Sequence, residues 1–577
     1  MGDSAFSLPT LLIIAPAAGG LVAMSMLTRR AAAITSLITF LVQAALLVVG
    51  VVQLDRYAER AGASAVPSCG DSAASDGARV VLAQCSDWFP QWGIQYHVSL
   101  GYGALGLVAL TTLVTAGASA FAWWADRERP AAMQGLMWIA AASLTGLFVA
   151  RDLVLFYVFF ELMLVPFLLL VGVWGGVQRI RATMTMFIYT LLGSLPMLVG
   201  VIAVGIAAND AIAEGGAELA GASPFSLPVL SALASSGALD LSSWVLVAFL
   251  LAFSIKAPLL PFHGWLPLAY REAPVEVTAM LSGLVSKAAF FGFLVVVLPL
   301  FPEQLEGGWG TALTWLALTS LVYGCFAAFR QPDPRGVVAY SSLAQMGLIV
   351  LGLASFTSAG AEQGIAGAYL QSINHGLVSA AAFLLVGVIE VRTGEREFSR
   401  LGFLATGRAR LASIGLVIAL ITLAVPGATT FAGELLILAG VFRGDVSGPV
   451  VATIGSFAVV LAAMYALRLV AGLVFSDRET TADDAAEAHQ RFGGDLGLRE
   501  LLIVGPAVAA LLVLSAWPNL LHRAMNQPPV AITTPADPLL AAAAAGRESH
   551  EGDKESAEDE HATDADASDE ADAEEQQ

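Results

Sequence analysis

The sequence predicts an all-α polytopic membrane protein of about fourteen transmembrane helices, and three observations predict it. The chain of 577 residues is 57% hydrophobic and only 13% charged, too apolar for a water-soluble globule of that length. Apolar runs of roughly 20 residues, enough to cross a bilayer, recur along it. Its arginines concentrate in alternate loops between those runs, as the positive-inside rule requires.

The runs fall near 8–27, 31–53, 99–122, 131–149, 152–174, 183–206 and 244–268, then near 276–300, 309–328, 336–356, 364–389, 410–441, 448–474 and 500–517. The first is expected to be retained rather than cleaved, because Arg29 and Arg30 follow it instead of preceding it. Two runs contain helix breakers. Pro258 and Pro261 lie in SIKAPLLPFHGWLP, and Pro426 with Gly427 interrupts a run too long for one straight helix. Broken helices are therefore expected near 256 and 427.

These runs divide the chain into an N-terminal helix pair (1–54), an outer-side insert (55–97), a third span with its loop (98–130), two five-helix blocks (131–300 and 301–474), a loop with the last span (475–520), and a disordered acidic tail (521–577). Arg29, Arg30, Arg127, Arg129, Arg179, Arg181, Arg271, Arg330, Arg335 and Arg392 share one set of alternate loops. Taking that set as cytoplasmic puts both termini outside, in agreement with an even span count. The net charge of −19 arises mostly at the end, where residues 546–577 hold fourteen acids against Arg547 and Lys554. A run of that kind is a solvated tail with no chemistry assigned to it.

Cys69 and Cys85 both fall in the outer insert, where an oxidising environment permits a disulfide, whereas Cys325 lies inside a span. No metal-ligand cluster, phosphate-binding loop or nucleophile elbow is present. GVWGG at 172–176 closes a span and lacks the strand-to-helix context of a phosphate loop. Nucleic-acid binding has no basis either.

The buried charges point to chemistry. The chain has 25 arginines and three lysines, yet two of those lysines, Lys256 and Lys287, sit near the centres of spans. Guanidinium stays protonated, whereas an ammonium taken out of water can release its proton. Both lysines are thus candidate proton carriers. Glu161 lies midway through the fifth span, and the cation nearest to it in depth is Lys256; the alternatives are a switchable pair or a fixed bridge that orients helices. His375 and Glu434 also lie well inside spans and can carry protons through water. His263, beside the first break, is open between a loop role and a relay role. The two broken helices lie five spans apart, and an odd offset reverses orientation. Spans four to eight and nine to thirteen are therefore expected to be inverted repeats.

FYVFFELMLVPFLLLVGVWGG, KAPLLPFHGWLPLAYREAP, AYSSLAQMGLIVLG, INHGLVSAAAFL, PGATTFAGELLILAG and DLGLRELLIVGP together resemble the antiporter-like membrane subunits of respiratory complex I, most closely the M-type (chain 4) kind. The resemblance runs from about residue 92 to 520. It implies a fourteen-helix subunit of a proton-pumping NADH:quinone oxidoreductase, with no redox centre of its own. NADH, FMN, iron–sulfur clusters and quinone would then belong to partner subunits, and L-type and N-type antiporter-like subunits would be neighbours in a bacterial-type inner membrane. It also implies Glu161 and Lys256 as a coupling pair, Lys287 as central carrier, His375 as a connecting relay and Glu434 as terminal carrier. Departures exist. GYGAL at 101–105 lacks the family's usual acid, Thr185 and Gly336 stand where basic residues are common, and Gln345 stands where many relatives have histidine. Glutamine can hold a water but does not titrate, which leaves Gln345 and His263 as secondary relay positions. The other reading is a subunit of a multisubunit cation/proton antiporter or another complex I-like redox complex. ELMLVP and HGWLP favour the first.

Overall fold

The computed structural model describes residues 6–61, 80–215, 222–402, 404–444, 447–474 and 482–526. Among them twelve helices are long and apolar enough to cross a membrane: α1 (Leu8–Ser25), α2 (Arg29–Ala61), α3 (Tyr102–Trp124), α4 (Pro130–Val149), α5 (Leu153–Trp174), α6 (Arg179–Glu214), α8 (Val275–Leu300), α9 (Gly308–Phe329), α10 (Pro334–Leu353), α11 (Ala361–Thr393), α14 (Gly448–Val474) and α15 (Leu498–Ala516). Three shorter apolar helices complete the set: α7 (Ser243–Lys256), α12 (Ala409–Thr422) and α13 (Thr429–Phe442).

Both expected interruptions are present. Helix α7 stops at Lys256, and the chain passes Pro258 and Pro261 before a short helix over Leu266–Glu272. Helices α12 and α13 are separated by residues 423–428, where Gly427 adopts a φ of 98°. That left-handed conformation is open to glycine and strained for a side chain bearing Cβ.

Two further irregularities were not foreseen. Helix α5 is interrupted at Met163, two residues after Glu161. Pro166 lies four residues beyond Leu162, so it denies the Leu162 carbonyl its helical donor and crowds it sterically. Helix α8 contains π-helical turns at Leu281–Val285 and Phe293–Val297, on either side of the α-helical turns at Ser286–Gly292 that carry Lys287. Such turns widen the backbone locally and recur at functional positions in helices.

Helices α8 and α11 are buried along their whole apolar windows. Close packing depends on small residues. A Cβ on Gly367 of α11 would lie 2.7 Å from the Ile437 backbone nitrogen and 2.9 Å from the Gly433 carbonyl of α13, so glycine lets these two helices approach that closely.

The fold is helical apart from small β elements. Strands β1 (Phe6–Ser7) and β2 (Val80–Val81) form a short parallel pair, and β3 (Ala83–Phe89) and β4 (Ile94–Ser99) form an antiparallel hairpin. The hairpin occupies the end of the expected outer insert. Asp152 ties it to α5, accepting from the backbone N–H groups of Val154, Leu155 and Gln95 at 2.9, 3.0 and 3.2 Å. Burial pushes this carboxyl up to about 6, against the pull of those three donors. His97 of β4 is driven down to about 4 by burial and by the adjacent Arg151 charge. Cys85 in β3 is disulfide-bonded; its expected partner, Cys69, lies outside the described residues. Cys325 is a free, buried thiol. Most of the acidic tail also lies outside them, although a short helix over His522–Asn526 falls within its expected start.

Candidate functional site

The enclosed helices α8 and α11 bring together two residues singled out in the sequence. Lys287 is fully buried. Its Nζ lies 2.6 Å from His375 Nδ1, and it donates to Ser286 Oγ and the Ser282 carbonyl, each at 3.2 Å. No acid takes part in these contacts. With Nζ as donor, His375 Nδ1 is the acceptor and the ring proton sits on Nε2. That Nε2 has no hydrogen-bond partner. A proton can thus reach one ring nitrogen and leave from the other.

Beyond His375 lies a cavity of about 30 Å³, lined by Ser341, Gln345, Gln371, His375, Ser379, Thr430 and Tyr465 among others, which is room for water. Across it runs a second set of bonds. Gln371 Nε2 donates to Gln345 Oε1 at 2.7 Å, and Gln345 Nε2 donates to Glu434 Oε1 at 3.2 Å. Glu434 is 4% exposed. The structure therefore places Lys287, His375, Gln345 and Glu434 around one short buried path, with Gln371 as an unforeseen member.

The helix period explains the arrangement. Gln371, His375 and Ser379 stand four residues apart on one face of α11. Ser379 joins Ser282 and Ser342 in a cluster with Oγ separations of 2.5 Å to Ser282 and 3.5 Å to Ser342. The Tyr465 hydroxyl, also on the cavity wall, interacts with the Gln345 side chain. The signal that would have found Gln371 and Ser379 is that four-residue spacing about His375.

Lys256 lies elsewhere, at the end of α7. It is 2% exposed, its Nζ sits 4.4 Å from the centre of the Phe160 ring, and it donates weakly to the Phe160 carbonyl at 3.5 Å. Glu161 is the charge that bears on it electrostatically. The expected direct contact is not made: no ion pair joins the two among the described residues, and Glu161 Oε1 is enclosed without a hydrogen-bond partner. The aromatic face and carbonyl of Phe160 occupy the ammonium instead. A cavity of about 10 Å³, apolar apart from Lys256 and Thr190, separates Lys256 from Leu281 and Val285 of α8. No hydrogen bond among the described residues links Lys256 to Lys287. His263 is half-buried, with Nδ1 unpartnered and its ring 5.1 Å from that of Tyr323; the structure does not bring it to the path.

Sequence reasoning missed the ion pairs at the arginine-rich end. Arg127 forks onto the fully buried Glu276 at 2.7 and 3.0 Å, Arg335 meets Glu390 at 2.6 Å, and Arg392 meets Glu500 at 2.5 Å. These acids stand at the ends of the expected spans, and their partners emerge only when the helices are packed. No group of three or more potential metal ligands occurs among the described residues.

Comparison with known proteins agrees with this architecture. The profile of the family described as NADH:quinone oxidoreductase/Mrp antiporter, TM matches residues 150–462. A relative named NADH-quinone oxidoreductase subunit M, from Rhodobacter capsulatus, is 34% identical over 433 residues, covering 74% of this chain and 80% of its own length. A chain of respiratory complex I from Thermus thermophilus with bound NADH superposes with a TM-score of 0.71 at 28% identity, covering 93% of this chain and 99% of that one. A chain of the Mrp complex from Dietzia sp. gives the same TM-score and the same coverages at 22% identity, a likeness of fold. The path through Lys287, His375, Gln345 and Glu434 lies inside the matched region, and the chain belongs to the NADH:quinone oxidoreductase/Mrp antiporter transmembrane family.

Proposed function

We propose that this chain is the M-type proton-translocating membrane subunit of an NADH:quinone oxidoreductase, driven by quinone reduction in partner subunits. The observation that carries the reading is the buried polar path: Lys287 to His375 by direct contact, a water-sized cavity, then Gln371, Gln345 and Glu434 in hydrogen-bonded sequence. Ionisable groups at that depth are costly and mark ion pathways. Lys256, stacked on Phe160 beside Glu161, is the input end. A shift in the Glu161 charge alters the ease with which Lys256 holds its proton, and the effect passes to Lys287 across α8. His375 and the cavity carry the proton onward, and Glu434 is the terminal carrier. His263 is kept as an accessory position, without a contact to the path.

The twelve long helices together with the two interrupted segments make fourteen spans, with spans four to eight and nine to thirteen as inverted repeats about the breaks at 256 and 427. Both termini lie on the outer side of a bacterial-type inner membrane. L-type and N-type subunits flank the chain, and NADH, FMN, iron–sulfur clusters and quinone are held by partners. The second reading, a cation/proton antiporter subunit, is kept because the description of the matched family names both kinds of protein. Purifying the native complex and identifying its subunits separates the two. Flavin and iron–sulfur partners support the first, and small antiporter subunits alone overturn it.

A further inference from the structure

A cavity of about 500 Å³ opens between α2, α3, α4 and α15, well away from the proton path. Its wall divides by chemistry. Arg30, Arg499, Trp123 and Trp124 lie at one end, and Ile34, Leu37, Phe40 and Leu502 make an apolar run along it. Ser36, Gln134 and Ser119 also line it, but they satisfy one another: Ser36 Oγ donates to Gln134 Oε1 at 2.7 Å, and Gln134 Nε2 donates to the Ser119 carbonyl at 2.8 Å. The interior therefore asks for hydrocarbon.

The rim asks for an anion. Arg29 is neutralised by Asp126. Glu500, on the first turn of α15, is engaged by Arg392 and by the Gly497 N–H. Arg30 and Arg499 have no ion-pair partner among the described residues, and Arg499 rests over Trp123 at 5.6 Å. Helices α2 and α15 both begin here and α3 ends here at Trp124, so the helix ends add one net positive end to the two free guanidinium groups. Paired tryptophans are typical of the headgroup level of a bilayer.

We infer that this groove is a binding site for an anionic phospholipid, its phosphate held by Arg30 and Arg499 and an acyl chain laid along Ile34, Leu37, Phe40 and Leu502. Charge complementarity at the rim and an apolar, internally satisfied floor fix that occupant. A zwitterionic lipid meets the floor equally well but gains little from the arginines, and free phosphate gains nothing from the floor.

The test uses the purified full chain, or its native complex, in detergent. Phosphatidylglycerol, phosphatidylcholine and inorganic phosphate are titrated separately and bound species are counted by native mass spectrometry. One phosphatidylglycerol per chain is expected in preference to the other two. Arg30→Gln and Arg499→Gln should each weaken it about fivefold, and the pair about twenty-five-fold. Ala33→Trp, which fills the groove and spares both arginines, should also displace the lipid. Arg181→Gln, an exposed arginine elsewhere, should leave it bound and report that folding is intact. Equal retention of phosphatidylcholine, binding of phosphate alone, unchanged affinity in the double variant, or a partner protein seated in the groove of the native complex would each overturn the assignment.

Discussion

Replacement of Glu434 by glutamine separates proton transfer from packing. In the native chain Gln345 Nε2 donates to Glu434 Oε1 at 3.2 Å, and Gln371 holds Gln345 from the other side at 2.7 Å. Glutamine keeps an acceptor oxygen in the same place. A hydrogen bond to an ionised acceptor contributes about 1.5–3 kcal/mol against about 0.5–1.5 for a neutral one, so the link weakens by roughly 1 kcal/mol. Removing a carboxylate from a site that is 4% exposed offsets part of that loss. Stability should hardly change, with the melting midpoint kept within about 2 °C. Proton transfer should fall by ~100-fold or more, the usual cost of deleting a group that gives and takes a proton. The assay is dye-reported acidification of proteoliposomes alongside NADH oxidation, with assembly checked on the same preparation. Normal acidification by a fully assembled Glu434→Gln complex would remove Glu434 from the path.

Other perturbations test separate parts. Lys256→Ala and Glu161→Ala should each reduce pumping by about tenfold or more in assembled complex, measured in the same way; full pumping by either variant contradicts its place at the input. Gln345→Ala breaks the bond to Glu434 and should slow pumping, whereas Gln345→His, which restores a group able to carry a proton, should not; equal rates in both would show that the cavity water bypasses position 345. The outer hairpin gives a pH test. His97 is held neutral, its pKa driven down to about 4, so its contribution is present above its ordinary value near 6.5 and is lost as pH falls through 4, to the extent of ~3 kcal/mol at most. Asp152, pushed up to about 6, runs the opposite way: its contribution is present below its ordinary range and is lost as pH rises through 6. His97→Gln removes only the first trend. The melting advantage of native protein over His97→Gln should therefore shrink between pH 7 and pH 4, and a constant difference would refute the assignment.

The fold was legible because a bilayer demands long apolar helices, and prolines with glycine announce the breaks beside Lys256 and before Glu434. The interruption at Met163 was written in Pro166 but masked by an unbroken apolar run. The π-helical turns around Lys287 carry no pattern of their own, since the period that defines them is read from backbone bonds and not from side-chain spacing. Within the site, Lys287, His375 and Glu434 stood out as charges that a lipid setting cannot hide. Gln371, Ser282 and Ser379 did not, because neutral polar side chains inside helices commonly bond to their own backbone; only the packing of α8 on α11 turns them into a path. The Glu161–Lys256 pair was inferred from depth along the membrane. Depth does not fix rotation about the helix axis, and the ring of Phe160 holds the place where a contact was expected.

The central claim is that Lys287 must give up its proton to His375, and Lys287→Arg tests it most directly. Arginine retains the positive charge but stays protonated, and none of the hydrogen-bonding contacts of Lys287 is an acid that would pair with it. The measurement is protons translocated per NADH oxidised in proteoliposomes containing assembled complex. The account predicts quinone reduction with translocation reduced by about tenfold or more; a native ratio in the assembled Lys287→Arg complex would contradict it.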